Sequence, residues 1–140
     1  MSNKNGRRMK QEEIISLLNY EYPQMDTLLP TTNQFAHHDC ENDLYIIEIK
    51  SRDTHYDPWI IEKMKYDANI KEVESKGKDF IYITEHRLSI IAWNVTDLTK
   101  SGYNFMWEVR QMPETTEFED KEVIHKEVGY LYESFGQRVK

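Results

Sequence analysis

The chain has 140 residues, enough for one domain with a modest core, and its 31% charged and 39% hydrophobic residues read as soluble and globular rather than disordered. No apolar run approaches the ~20 residues of a membrane span, and the basic N-terminus has no apolar stretch behind it to make a signal peptide. A net charge of -7 excludes reliance on bulk positive charge to hold nucleic acid, although the basic residues between Lys4 and Lys10, and then Lys50, Arg52, Lys63 and Lys65, form local clusters.

Residues 1–10 read as a flexible basic arm, and residues 11–140 as a single domain. Ile14, Ile15, Leu17 and Leu18 form a helical apolar stripe over 11–20, with Glu12 and Glu13 in its first turn. Tyr22-Pro23 ends that helix. Residues 23–33, rich in turn formers, read as a loop or a weak strand, and 35–40 is a candidate short strand. Glu41-Asn42-Asp43 is a tight turn into a strand over 44–50, completing a hairpin. Period-two alternation puts Tyr45, Ile47 and Ile49 on one face and Leu44, Ile46, Glu48 and Lys50 on the other. Asp57-Pro58 reads as a helix N-cap and first position, and two apolar stripes follow: Ile60, Ile61, Met64 and Ala68, then Trp59, Tyr66, Ile70 and Val73. Lys63 falls at the edge of the second stripe, where its side chain either aims into a groove or extends to solvent, whereas Lys65 reads as a solvated charge. Gly77 ends the helix. Strands over 79–84 and 88–95 are joined by Glu85-His86-Arg87, with a further strand over 103–112. Residues 113–120 are a polar, acidic loop, and 121–132 lean towards strand.

Three stretches carry Glu-x-Lys: Glu48/Lys50, Glu74/Lys76 and Glu119/Lys121. Only the first closes an apolar strand behind an upstream acid; solvated charge explains the other two. A carboxylate and an ammonium share a face there, ~6–7 Å apart at a rise of ~3.3 Å per residue. His37-His38-Asp39-Cys40 has the residue types of a zinc cluster, but neighbours along a strand point to opposite faces and cannot all reach one ion. Cys40 as a nucleophile lacks a supporting local pattern. As the single cysteine it forms no internal disulfide, which fits an intracellular, cytoplasmic setting. Tyr103, Phe105 and Trp107 alternate as a stripe that suits either a core or base stacking.

The stretch Asp39-Cys-Glu-Asn-Asp-Leu-Tyr-Ile-Ile-Glu48-Ile-Lys50-Ser-Arg52, followed by Tyr56-Asp-Pro-Trp-Ile-Ile-Glu-Lys63-Met-Lys65-Tyr66-Asp, resembles the PD-(D/E)xK nuclease superfamily, in particular its small phage-type members. The resemblance covers about residues 11–95. It implies an α/β (α+β) fold, a restriction-endonuclease-like mixed sheet flanked by helices, here with a C-terminal β-rich extension. It also implies hydrolysis of DNA phosphodiester bonds with Mg²⁺ or Mn²⁺. Asp39, Glu48 and Lys50 would be catalytic. Asp39, Glu48, the Ile49 carbonyl and an acid from the first helix, Glu21 in preference to Glu13, would hold the metal. Arg52 and Lys63 would bind substrate. DNA is the implied partner, in a monomer or a homodimer. There is no Pro-Asp dipeptide: the acid follows His37-His38. Asp43 and Asp26 are alternative ligands. Two other classes fit the composition: a catalytically inactive nuclease-fold binding module, and an acidic protein that mimics DNA.

Overall fold

The computed structural model describes residues 8–113 and 123–140. In chain order the elements are α1 (Gln11–Glu21), β1 (Leu29–Pro30), β2 (Cys40–Glu41), β3 (Tyr45–Ser51), β4 (Trp59–Glu62), α2 (Lys63–Lys76), β5 (Asp79–His86), β6 (Ser89–Asn94), α3 (Val95–Lys100), β7 (Glu108–Pro113), β8 (Val123–Leu131) and, after a short 3₁₀ turn, β9 (Gln137–Arg138). They make a mixed α+β fold with two sheets: a six-stranded one in the order β1-β2-β3-β5-β6-β9 and a three-stranded one in the order β4-β8-β7. β3 and β5 run parallel, with Glu48 beside Tyr82 and Lys50 beside Thr84, and α2 lies in the crossover between them.

The alternation in β3 holds. Ile46 joins a cluster with Phe80, Tyr82, Trp93 and Val73, which α2, α3 and the small sheet cover. Ile47 and Ile49 join a second cluster on the opposite face, with Ile83, Ile90 and Ile14, Ile15 and Leu18 of α1. The large sheet is therefore buried on both sides, which is why its inner strands read as nearly continuous apolar runs. The turn before β3 is built by Asn42, whose side-chain oxygen accepts the N–H groups of Leu44 and Tyr45. Gly77 closes α2 in the left-handed conformation, φ 69°, where a glycine has no Cβ to strain.

Several expectations need correction. Residues 59–62 are a strand, not the first turn of a helix. Trp59-Ile60-Ile61 is aromatic and β-branched, and pairing with β8 satisfies it, with Trp59 and Ile61 turned into the core. The helix starts at Lys63, and Asp57 instead accepts the Glu133 N–H. The short strand expected over 35–40 is reduced to Cys40–Glu41. The hairpin loop is Arg87-Leu88, both with positive φ, rather than 85–87. The last strand pair is no appended extension, because β8 pairs with β4 and β9 with β6. Phe105 is buried among Tyr66, Tyr103 and Trp107, so that aromatic stripe is core. Of the arm, Arg8–Lys10 are fastened down: Met9 is buried and Arg8 donates to the Ser51 carbonyl. Residues 1–7 and the acidic loop over 114–120 lie outside the described residues.

Candidate active site

Asp39 stands immediately before β2, and two hydrogen bonds fix it against β3. Its N–H donates to the Ile47 carbonyl at 2.8 Å, and its Oδ2 accepts the Ile49 N–H at 2.6 Å. These bonds straddle Glu48 and hold the Asp39 carboxylate beside it. A strand residue turns its N–H and its C=O to the same edge, so the Ile49 carbonyl opens on the Asp39 side. Burial, then the nearby Glu48 charge, push the Asp39 carboxyl up to about 6, against the pull of the Ile49 N–H and of Lys50 and Lys65.

Glu48 is 3% exposed, a carboxylate inside the protein. Its Oε2 receives two ammonium groups, Lys50 Nζ and Lys65 Nζ, each at 3.1 Å. Burial holds the Lys50 ammonium below its usual range, with Glu48 opposing. Lys65 is also penalised by burial, but the Glu48 charge and the hydrogen bonds around it leave it raised overall. Tyr82 lies next to Glu48 on β5, donates its hydroxyl to the Ile60 carbonyl and is pushed up by burial and then by Glu48. Thr84 Oγ1, beside Lys50, is a buried oxygen without a hydrogen-bond partner among the described residues.

The expected positions of the two helix lysines relative to Glu48 are exchanged. Lys65 reaches Glu48, whereas Lys63 pairs with Asp67 at 2.9 Å and lies over the Trp107 ring at 5.2 Å. The shift of the helix start from 58 to 63 and the actual core face explain this. Tyr66, Ile70 and Val73 pack inwards, and a second, polar stripe faces β2 and β3. On that stripe Lys65 meets Glu48, Asn69 donates to the His37 carbonyl and Glu72 lies 3.8 Å from His38. Spacings of four and three residues put these three on one face.

Glu21 does not join the site. Gln11, at the first turn of α1, donates to the Asp39 carbonyl, so the N-terminal end of the helix abuts Asp39. Glu21 is exposed at the other end, ten residues or about 15 Å along the axis. Glu13 is nearer, and its carboxylate accepts the Lys10 N–H. Asp26 accepts the Asp43 N–H and caps the turn, so neither alternative ligand lies with Glu48.

The His37-His38-Asp39-Cys40 run divides as alternation demands. Cys40 is fully buried, and burial pushes its thiol up to about 12, which leaves it protonated and unreactive. His38 lies between Glu41 and Glu72, a trio whose ligand atoms fall within 4.8 Å of one another. Lys78 and Lys76 already neutralise those two carboxylates, at 2.9 and 2.7 Å, and the trio reads as an ion-pair network joining α2 to β2.

Beside Glu48 a cleft of about 300 Å³ opens between the two sheets. Lys50, Arg52, Lys65 and Arg110 of β7 all line it, with Glu62 the one acid among the lining residues. Glu62 is itself paired with Lys126 at 3.4 Å. Comparison with family models, with curated proteins and with solved structures yields no match.

Proposed function

We propose that the chain is a divalent-metal-dependent nuclease acting on DNA, with a restriction-endonuclease-like arrangement of β2, β3, β5 and α2. The observation that carries this reading is the clasp of Asp39 across β3, which sets its carboxylate beside buried Glu48 while Lys50 and Lys65 share Glu48 Oε2. Two neighbouring carboxylates, one raised to about 6 by burial and then by the other's charge, suit a cation between them. With the Ile49 carbonyl they form the all-oxygen donor set that Mg²⁺ or Mn²⁺ takes, alongside water and substrate phosphate. Such an ion, once bound, would polarise a phosphate oxygen and lower the pKa of a coordinated water.

The protein's own groups supply the rest. Lys50 carries an ammonium next to Glu48, where it orients the attacking water and meets charge developing on the phosphate. Lys65 holds Glu48 from the helix side and fixes its rotamer. Arg52 and Arg110 attract the backbone from the cleft walls. Lys63 is left out, because its charge is spent on Asp67.

The test is cleavage of plasmid and of circular single-stranded DNA with Mg²⁺ or Mn²⁺. Cleavage should stop with a chelator, and Glu48→Gln and Lys50→Ala should each abolish it while circular dichroism still reports a folded chain. If neither substrate is cut with either metal, the nuclease reading fails. One observation favours a second reading, a nuclease fold retained for binding alone: both lysines sit on a single Glu48 oxygen, as in a structural ion cluster. That reading is supported if DNA binds but is never cut.

A further inference from the structure

The cleft beside Glu48 has features that a metal site alone does not require. It is lined by four basic residues, Lys50, Arg52, Lys65 and Arg110, in a protein whose net charge is -7. Lys50 and Lys65 are committed to Glu48, and Lys126 answers Glu62. Neither Arg52 nor Arg110 enters an ion pair among the described residues: Arg52 donates to the Ser51 carbonyl, and Arg110 lies 3.5 Å from the Tyr130 hydroxyl. Two arginines that line one cleft and carry no ion pair attract an anion into it.

An aromatic ring borders the same cleft. Tyr56 is 43% exposed and lines the opening, its ring edge-on to Trp59 at 5.3 Å. Trp59 is buried and anchored by its Nε1–H on Glu133, and Tyr56 rests edge-on against it. A basic groove beside an exposed aromatic face is the chemistry that holds a single nucleic-acid strand, with phosphate on the cations and base on the ring.

Size narrows the choice. A cleft of about 300 Å³ lined by eleven residues is small beside a double helix, whose major groove alone is about 12 Å wide, so an intact duplex lies across its mouth. One nucleotide enters such a space and a duplex does not. The floor, formed by Lys50, Lys65 and Tyr82, is the rim of the Glu48 site, so a phosphate seated there adjoins the carboxylates.

We propose that this cleft is a single-strand site: it takes one unpaired DNA strand, with phosphate between Arg52 and Arg110 and a base against Tyr56, and excludes intact duplex. The proposal rests on the nuclease reading for its link to cleavage, but its binding arm stands apart. Binding is measured by fluorescence anisotropy on the wild-type protein in Ca²⁺, with a labelled 20-nucleotide single strand and the blunt duplex of the same sequence. The single strand should bind at least tenfold more tightly. Tyr56→Ala should weaken single-strand binding about tenfold, and Tyr56→Phe should preserve it, since the ring and not the hydroxyl stacks. Arg52→Ala and Arg110→Ala should each flatten the salt dependence of single-strand binding by about 0.7 in slope. Equal or tighter duplex binding, or a Tyr56→Ala protein that binds like wild type, overturns the proposal. Cleavage of intact duplex in preference to single strands would overturn it while leaving the nuclease reading in place. Absence of all cleavage alongside single-strand binding would do the reverse.

Discussion

Asp39→Asn separates the charge of Asp39 from its hydrogen bonding. The amide oxygen of the substituted side chain still accepts the Ile49 N–H, so the clasp on β3 survives, but the negative charge beside Glu48 is gone. The native carboxyl is raised from 3.8 to about 6, by burial first and the Glu48 charge second. A carboxyl that holds its proton more tightly in the native state favours folding below the unfolded pKa and loses that advantage as pH rises from about 4 through about 6. At about 1.36 kcal/mol per pH unit, the rise amounts to about 3 kcal/mol by pH 8. In EDTA, Asp39→Asn should therefore stabilise the protein by up to about 3 kcal/mol at pH 8 and by less than about 1 kcal/mol at pH 4. Urea unfolding followed by tryptophan fluorescence at the two pH values measures this. Adding Mg²⁺ at pH 8 should raise the stability of the wild type and leave the variant largely unmoved. A variant that is equally or less stable than wild type at pH 8, or one with the same gain at both pH values, would refute the account of two crowded carboxylates.

Other outcomes follow from the same geometry. Lys65→Ala strips one of the two cations from buried Glu48 and should destabilise the fold by roughly 1–3 kcal/mol as well as suppress cleavage, whereas Lys63→Ala should stay within about 0.5 kcal/mol; chemical denaturation of both, side by side, checks the exchange of positions. Gly129→Ala should lose roughly 1–3 kcal/mol, because its new Cβ would meet Trp107 at 2.7 Å and Phe105 at 3.0 Å; a thermal melt equal to wild type would show that these rings yield freely. Cys40 should resist a thiol-reactive chromophore at pH 8 until denaturant is added, and immediate labelling of the native protein would contradict its burial.

What was legible in the sequence was periodicity within single elements. The faces of β3, the apolar side of α1 and the stop at Gly77 follow from local rules that tertiary contacts do not overturn here. Asp39 and Glu48 came together because a hairpin links them, and a hairpin is a local object. Three things were lost where the deciding contact was distant. Trp59-Ile60-Ile61 suits strand or helix, and β8, some seventy residues on, tips the balance. Lys65 looks solvated when only apolar stripes are traced, yet Lys65, Asn69 and Glu72 form a polar stripe of their own, and that spacing was visible. Glu21 was placed by its closeness to a helix end, without knowing which end the hairpin would meet. Glu48 was expected on an open face, but parallel pairing with β5 and the cover of α2 bury it, so its loss leaves two cations without their shared partner.

Glu85 has a bearing on how the chain can be handled. It is fully buried, and its carboxylate accepts from the Met9 N–H, the Ser51 hydroxyl and the Leu88 N–H. At the far side of the same hairpin, the Ile90 N–H donates to the Lys140 carbonyl and the Ile90 carbonyl accepts the Val139 N–H. Both ends of the described chain are thus stitched to one corner, the β5–β6 turn. Arg8 and Lys140 therefore lie near the same corner, and the segments they lead into leave the fold on one side of it. Tension applied between Arg8 and Lys140 would load these few tethering bonds first, ahead of the β3–β5 pairing at the centre of the sheet.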